Sequence, residues 1–297
     1  MEAKRYRQLC RLIDQVSRLR RPKKHSFTDA LIVKVFFWST FCDRPTSWAC
    51  DVANWPTGLI DQVIGTLPSQ STMSRRLRTV GVLQLIERVQ VMLAEELEDD
   101  VVKVIDSKPL KVGSYSKDHD AKRGRAAGEM SRGYKLHAVT SGKSFKLWTL
   151  TPMNTNDQIG AAMLLPKLEG WGYISADNGY DANRVHLVAL SVNHLLVAPP
   201  RKSNADVRDF RRNTLQRMRA LDICANPLQH CGLRESFGHS LVQSRGQIER
   251  NFGNAAMSGL HSLPPWVRTP HRVAAWTAAK IIQRMSRQAE LKELRRR

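Results

Sequence analysis

The feature that most constrains this chain is a change of period at residue 101. Upstream, apolar residues recur at helical spacing: Leu9, Ile13 and Val16 with Leu12 and Leu19 beside them, then Val82, Leu85, Ile86, Val89, Leu93 and Leu97. Downstream, Val101-Val102-Lys103-Val104-Ile105 is a β-branched run of the kind that fills a buried strand, and it stops at Asp106. Neither a pure helical bundle nor a pure β-sandwich accommodates both patterns, so two parts are expected: an all-helical region over residues 1–100 and an α/β domain over residues 101–297. A chain of 297 residues is long enough to bury both cores.

Beyond Asp106 the pattern continues in strands and helices. Tyr134–Thr140 and Lys146–Leu150 read as strands around the turn Ser141-Gly142-Lys143, and Asn156–Leu168 as a helix kinked at Pro166 and ended by Gly170. Tyr173–Ala176 is a strand leading into Asp177, Asn183–Leu190 a helix, and His194–Ala198 a strand closed by Pro199-Pro200. Three strands, helix, strand, helix, strand is the element order of a ribonuclease H-like fold. Such a fold is a mixed five-stranded sheet flanked by helices that brings carboxylates to neighbouring strand ends. Residues 201–238, rich in arginine and without clear period, read as a basic insertion. Gln243–Met257 then reads as a helix carrying Glu249, and Thr269-Pro270 opens a last helix with Val273, Trp276, Ile281 and Met285 on its apolar side.

Charge narrows the partner. Lys and Arg number 47 against 27 for Asp and Glu, a net charge of +20, which points to a polyanion. A membrane surface is the rival, but the longest apolar run, Ala30 to Phe41, is broken by Lys34 and is far shorter than the roughly 20 residues of a spanning helix. Residues 1–21 lack the apolar stretch of a secretory signal, so a cytoplasmic, nucleoid-associated protein is expected, with DNA as partner and no membrane. Five cysteines with no close pairs suit reduced thiols, and His230 beside Cys231 lacks the partners of a zinc site.

Within the first hundred residues, Ser26 with Asp29 resembles a capping box opening a helix through Phe36 and Phe37, and a third helix begins near Thr46. Pro68 and Ser69 precede the polar, basic segment Gln70 to Arg78, with Arg75, Arg76 and Arg78. That segment is either the groove-reading helix of a helix-turn-helix or a solvated basic face, and the total charge favours DNA contact.

Cutting a DNA phosphodiester requires charge stabilisation at both the attacking and leaving oxygens, which two magnesium ions held by carboxylates supply. Asp106 and Asp177 each end an apolar strand, and Glu249 follows the last core strand on a helix. Taken singly, each has a plain structural reading: a turn or cap for the aspartates, a surface ion pair for the glutamate. At nearly equal intervals and on these elements, the three together match a three-carboxylate metal site.

The chain resembles the DDE transposases of bacterial insertion sequences over roughly residues 100 to 285. Val104-Ile105-Asp106-Ser107-Lys108-Pro109 is similar to the family's first-aspartate strand, Gly133-Tyr134-Lys135-Leu136-His137 to its second strand, and Asn154-Thr155-Asn156-Asp157 to the loop before its first helix. Ala176-Asp177-Asn178-Gly179-Tyr180-Asp181 is the closest match, and Arg245 with Glu249 reproduces half of the C-terminal signature. The other half departs, with Val242 and Ala256 where a Tyr and a Lys often stand.

The resemblance implies that Asp106, Asp177 and Glu249 bind two Mg²⁺ or Mn²⁺ ions, nick the element's terminal inverted repeats, and align the freed 3′ hydroxyl on target DNA, with a homodimer bridging two ends. With Ala256 in place of the Lys, Arg250 or Lys280 would take over its phosphate contact, or activity is weakened. Arg245, one turn before Glu249, would hold phosphate; Lys135 and His137 alternate along one strand toward the site, the histidine in a supporting role rather than as a ligand. Asp157 and Asp181 read as helix-start residues, and Trp171, Trp266 and Trp276 either as core, the default, or as platforms for flipped bases or hairpin ends. Two other readings stay open: a DNA-binding protein that has lost catalysis, and a metal-dependent nuclease that cuts without joining.

Overall fold

The computed structural model describes residues 2–19, 26–63, 66–97, 99–113, 115–126, 128–201, 213–225, 241, 243–244, 246–257, 260 and 262–296. They form two compact units. One comprises Met1–Leu97, Tyr115–Asp118 and Ala255–Arg297; the other comprises Glu98–Ser114 and His119–Asn254.

The first unit is helical: α1 (Glu2–Arg18), α2 (Asp29–Phe41), α3 (Thr57–Ile60), α4 (Gln70–Arg76) and α5 (Val80–Glu96). Helix α2 is apolar on nearly every side, which places it at the centre, where residues from Ala30 to Thr40 are almost all buried. Its one cation, Lys34, is neutralised by Asp14 at 2.8 Å and by the Gln62 carbonyl at 3.2 Å. The cap of α2 is Thr28, whose hydroxyl accepts from Leu31 N at 3.2 Å, rather than Ser26. Asp29 instead ion-pairs with Arg76 at 2.6 Å. The expected third helix from Thr46 is broken into short 3₁₀ turns, Trp48–Cys50 and Val52–Asn54, followed by α3 and Asp61–Val63.

The second unit holds β1 (Val102–Lys111), β2 (Lys122–Ala126), β3 (Glu129–Ser141), β4 (Ser144–Pro152), α6 (Asp157–Leu164), β5 (Gly172–Ser175), α7 (Asn183–Ser191), β6 (His194–Val197), α8 (Leu215–Ala225) and α9 (Gly246–Met257) as far as Asn254. β3 pairs antiparallel with β1, β2 and β4, whereas β5 is parallel to β1 and β6 to β5. Three antiparallel strands continued by two parallel ones are the ribonuclease H-like arrangement. The sheet has six strands rather than five, because β2 forms a hairpin with the start of β3 through Gly128 at φ 88°. Lys-Arg-Gly-Arg-Ala carries no apolar alternation, so nothing in its pattern announced a strand.

A last helix, α10 (Pro270–Arg296), falls in the helical unit. The sequence reading put all of residues 101–297 in one domain; instead Val273, Trp276, Ile281, Ile282 and Met285 are buried where α10 packs on α5 and α2. Burying each such side chain is worth about 1.5–3 kcal/mol, which decides where the helix docks. Most of the expected insertion lies outside the described residues; within it, Leu215–Ala225 forms α8.

Candidate active site

Register fixes where the two aspartates stand. β1 and β5 are parallel with Val104 opposite Ser175; Asp106 follows that pair by two residues on β1, and Asp177 follows it by two residues just beyond the end of β5. Side chains two apart share a face, which places Asp106 together with Val102, Val104, Lys108, Ser175 and Val197, and Asp177 directly follows that stretch of β5. Apolar members of that face, Val197 and Tyr173 among them, pack against Ile223 of α8 and against Leu241. The opposite face, Ile105, Val139, Ile174 and Leu196, packs under α6 and α7.

Each aspartate is set by local backbone. Asp106 accepts from Ser107 N at 2.7 Å. Asp177 leaves the end of β5 extended and accepts from Gly179 N at 2.8 Å, capping the 3₁₀ turn Asn178–Tyr180. Both carboxylates are partly exposed.

Glu249 is carried over the same face by α9. Phe252, one turn on, meets Phe145 with ring centroids 6.1 Å apart, and Asn251 donates to the Gly142 carbonyl at 2.8 Å. Ile248, Asn251 and Phe252 are buried, while Glu249 and Arg250 are exposed. Burial of Phe252 contributes about 2 kcal/mol, against at most about 1 for an exposed ion pair, so packing rather than charge positions this helix. Lys108 links the elements: its ammonium donates to the Phe252 carbonyl at 3.3 Å and stands 5.8 Å from that ring's centroid. Burial lowers the Lys108 pKa while Asp106 opposes the change. Lys108 was not singled out from sequence, although its spacing from Asp106 along β1 was the available signal. No group of three His, Cys, Asp or Glu side chains gathers closely enough among the described residues to hold a metal ion.

Lys135 and His137 stand opposite Pro109 and Ser107, on the face away from Asp106. Strand alternation was read correctly, but both side chains turn to α6 instead of toward the aspartates. Lys135 donates to the Thr155 carbonyl at 2.8 Å and to Asp157 at 3.1 Å. His137, fully buried, bonds Thr151 Oγ1 at 2.9 Å. Burial presses its pKa down to about 4, with Asp157 opposing and Lys135 adding to the shift. Asp157, first residue of α6, also accepts from Ser107 Oγ at 2.6 Å, which ties that helix to the residue after Asp106.

Tyr180 is wholly buried, and its hydroxyl has no hydrogen-bond partner among the described residues. Burial, then the charges of Asp157, Asp106 and Asp177, raise its pKa far above the ordinary tyrosine value. Asp181 does more than start a helix: it accepts from Arg217 Nε and Nη2 at 2.7 Å each, from Arg201 N at 3.1 Å, and from His186. Burial opposes ionisation, but the Arg217 bonds, with help from His186 and Arg201, hold this carboxyl well below the usual range. Removing one partner of such a buried pair costs about 3–5 kcal/mol, so Asp181 anchors α8.

Of the other basic candidates, Arg245 lies outside the described residues, and Arg250 is exposed. Arg75 and Arg78 are exposed in the helical unit. Arg76 is buried, donating to the Phe27 carbonyl at 2.7 Å and to Asp29, and is not available to DNA. Lys280 is likewise consumed, by the Thr40 carbonyl at 2.6 Å and Asp43 at 2.7 Å. The β2 hairpin presents exposed Lys122, Arg123 and Arg125, which sequence reasoning passed over although they cluster within four residues. No helix among the described residues is long and apolar enough to cross a membrane.

Comparison with known proteins adds two findings. The family described as the transposase DDE domain matches residues 98–282. Among solved structures, the chain is similar to a piggyBac transposase in a synaptic complex with hairpin DNA, at 11% identity and a TM-score of 0.48, over 95% of this chain and 72% of that one. No curated protein matches.

Proposed function

The chain belongs to the transposase DDE domain family, and from that premise we propose that it is a metal-dependent DNA transposase of insertion-sequence type, cutting at element ends and joining them to target DNA. The observation that supports this reading is the β1–β5 register, in which Asp106 and Asp177 each follow the Val104–Ser175 pair by two residues and are partly exposed. Their donors fit the group: oxygen-only carboxylates suit Mg²⁺ or Mn²⁺. Glu249, on the helix over the same face, is the third ligand of the proposal. Bound divalent metal supplies charge stabilisation at the attacking and leaving oxygens of the phosphodiester.

The chain's own residues do the positioning. Ser107 N and Gly179 N orient the two aspartates, and Lys108 beside Asp106 offers a cation to the DNA backbone. Arg245, Arg250 and the basic β2 hairpin hold phosphates flanking the cut, and Arg75 and Arg78 contact DNA from the helical unit. A homodimer bridges the two terminal inverted repeats.

One observation favours a second reading, a DNA-binding protein without catalysis: the three carboxylates do not gather among the described residues. An oligonucleotide carrying the terminal repeat that flanks the reading frame separates the two. With Mg²⁺ or Mn²⁺ the protein is expected to nick it, and Asp177→Ala to slow nicking by about a thousandfold or more while leaving binding intact. Binding without nicking by the unaltered protein supports the second reading, equal nicking by the variant removes Asp177 from the mechanism, and nicking without joined product indicates a nuclease.

A further inference from the structure

Between Glu129 and Ser131 the described pairing of β3 is with β2 alone, so the hairpin continues past β1 and β4 as a two-stranded ribbon. Directly opposite residues of an antiparallel pair share a face. The register sets Arg123 opposite Arg132 and Arg125 opposite Met130 on one side, and Gly124 opposite Ser131 and Ala126 opposite Glu129 on the other. The side with the small residues is seated on the protein: Gly124 and Ala126 are buried, and a Cβ on Gly124 would stand 2.5 Å from the Met153 carbonyl oxygen. The arginine side therefore faces outward, with Arg123 and Arg125 exposed and Met130 66% exposed.

Strand alternation connects this side to the carboxylate face. Arg132 shares a face of β3 with Tyr134, Leu136 and Ala138, and Ala138 stands opposite Asp106. The arginine side thus continues the face that carries Asp106 and Lys108, displaced along the strand by about 20 Å at a rise of roughly 3.3 Å per residue.

The composition of this side points to its occupant. Arg123 and Arg132 are like charges directly opposite one another, which is destabilising, and neither of the two pairs on this side includes an Asp or Glu. Arg132 donates from Nε to the Ala121 carbonyl at 2.9 Å, which fixes where its guanidinium stands. Phosphates on either flank relieve the repulsion, but they give no role to Met130, an apolar side chain turned to water beside the arginines. Arginines in a groove of negative potential, with an apolar wedge between two base pairs, are the combination that binds and bends DNA from the minor groove.

We propose that the β2–β3 ribbon enters the minor groove of duplex DNA, with Arg123, Arg125 and Arg132 on the groove and its phosphates and Met130 wedged between two base pairs. At about 3.4 Å per base pair, the separation from Asp106 puts the wedge about six base pairs from the phosphate to be cut. The inference rests on the proposed DNA-cutting reading for that position, and on DNA being the partner for the rest.

A duplex carrying the terminal repeat, with a donor and an acceptor dye at its two ends, tests this in EDTA. A second set of the same duplex carries 2-aminopurine, which brightens when unstacked, at successive positions from the element's end. The unaltered protein is expected to raise energy transfer by bending the duplex and to brighten the probe most at about six base pairs from that end. Met130→Ala should remove the bend and the brightening while leaving the salt dependence of affinity unchanged, and Met130→Leu should restore both. Arg123→Ala and Arg125→Ala should each lower the slope of log affinity against log salt by about one. A duplex left straight by the unaltered protein, a bend kept by Met130→Ala, brightening centred elsewhere, or a slope unmoved by both arginine variants overturns the proposal. Failure to bind the duplex overturns the DNA-partner reading with it. Bending without nicking in Mg²⁺ leaves the ribbon standing and removes only the catalytic reading, whereas nicking of a straight duplex does the reverse.

Discussion

At the scale of residues, one alternation along β1 and β3 sorts the polar side chains into two sets. Asp106 and Lys108 face α9 and the proposed DNA side; Ser107, Lys135 and His137 face α6 and Asp157. The three proposed carboxylates stood out in the sequence, the two aspartates at the ends of apolar strands and Glu249 on a helix after the last core strand. Their neighbours did not, since period alone says that Lys135 and His137 share a face but not which one. The buried His137 has a measurable consequence. Its folded pKa is pressed down to about 4, so between that value and about 6.5 the unfolded chain takes up a proton that the folded chain refuses. The contribution of this group is complete above about pH 6.5 and falls away toward pH 4, by a few kcal/mol at most. Urea unfolding of the protein and of His137→Gln should therefore diverge in pH slope across that window; parallel curves would show that His137 does not titrate on unfolding.

Among elements, α6 shows how closely the two faces are fitted. Gly160 lies against the His137 ring, where an added Cβ would overlap Nδ1, so glycine lets the helix approach β3. Gly160→Ala should destabilise the protein by about 1–3 kcal/mol in thermal or urea unfolding, and adding His137→Ala should recover part of that loss by making room. Additive losses would place the strain elsewhere. Strands and helices with a strong period, β1, β3, β4, β5, α6 and α7, were readable from sequence, including the Gly142 turn and the Pro166 break. What escaped was set by distant partners. β2 owes its pairing to the β3 edge, the α2 cap falls on Thr28 because Asp29 is taken by Arg76, and α8 is fastened by Arg217 to Asp181. None of these partnerships leaves a local pattern.

For the whole molecule, net charge is the dominant property. With a surplus of twenty positive charges, the proposed DNA binding would be a counterion-release process whatever the sequence bound. Affinity for duplex should fall by about 10³-fold or more between 50 and 200 mM salt. A weak salt dependence in a filter-binding or anisotropy titration would mean that few of these cations meet phosphate. The C-terminal helix belongs to the bundle of α1, α2 and α5, so the chain returns to its first unit after completing the second. Only the burial of α10 revealed this, because an amphipathic helix does not state which core it will join.

The central claim is that Asp106, Asp177 and Glu249 act as a single metal-holding unit, and single-turnover cleavage of an end-bearing oligonucleotide measures it most directly. Groups that work as a unit lose nearly all activity when any one is removed, so Asp106→Asn, Asp177→Asn and Glu249→Gln should each slow cleavage by about 10³-fold or more, with the double and triple variants scarcely slower. Near-normal cleavage by Glu249→Gln, or losses that multiply from one variant to the next, would contradict it.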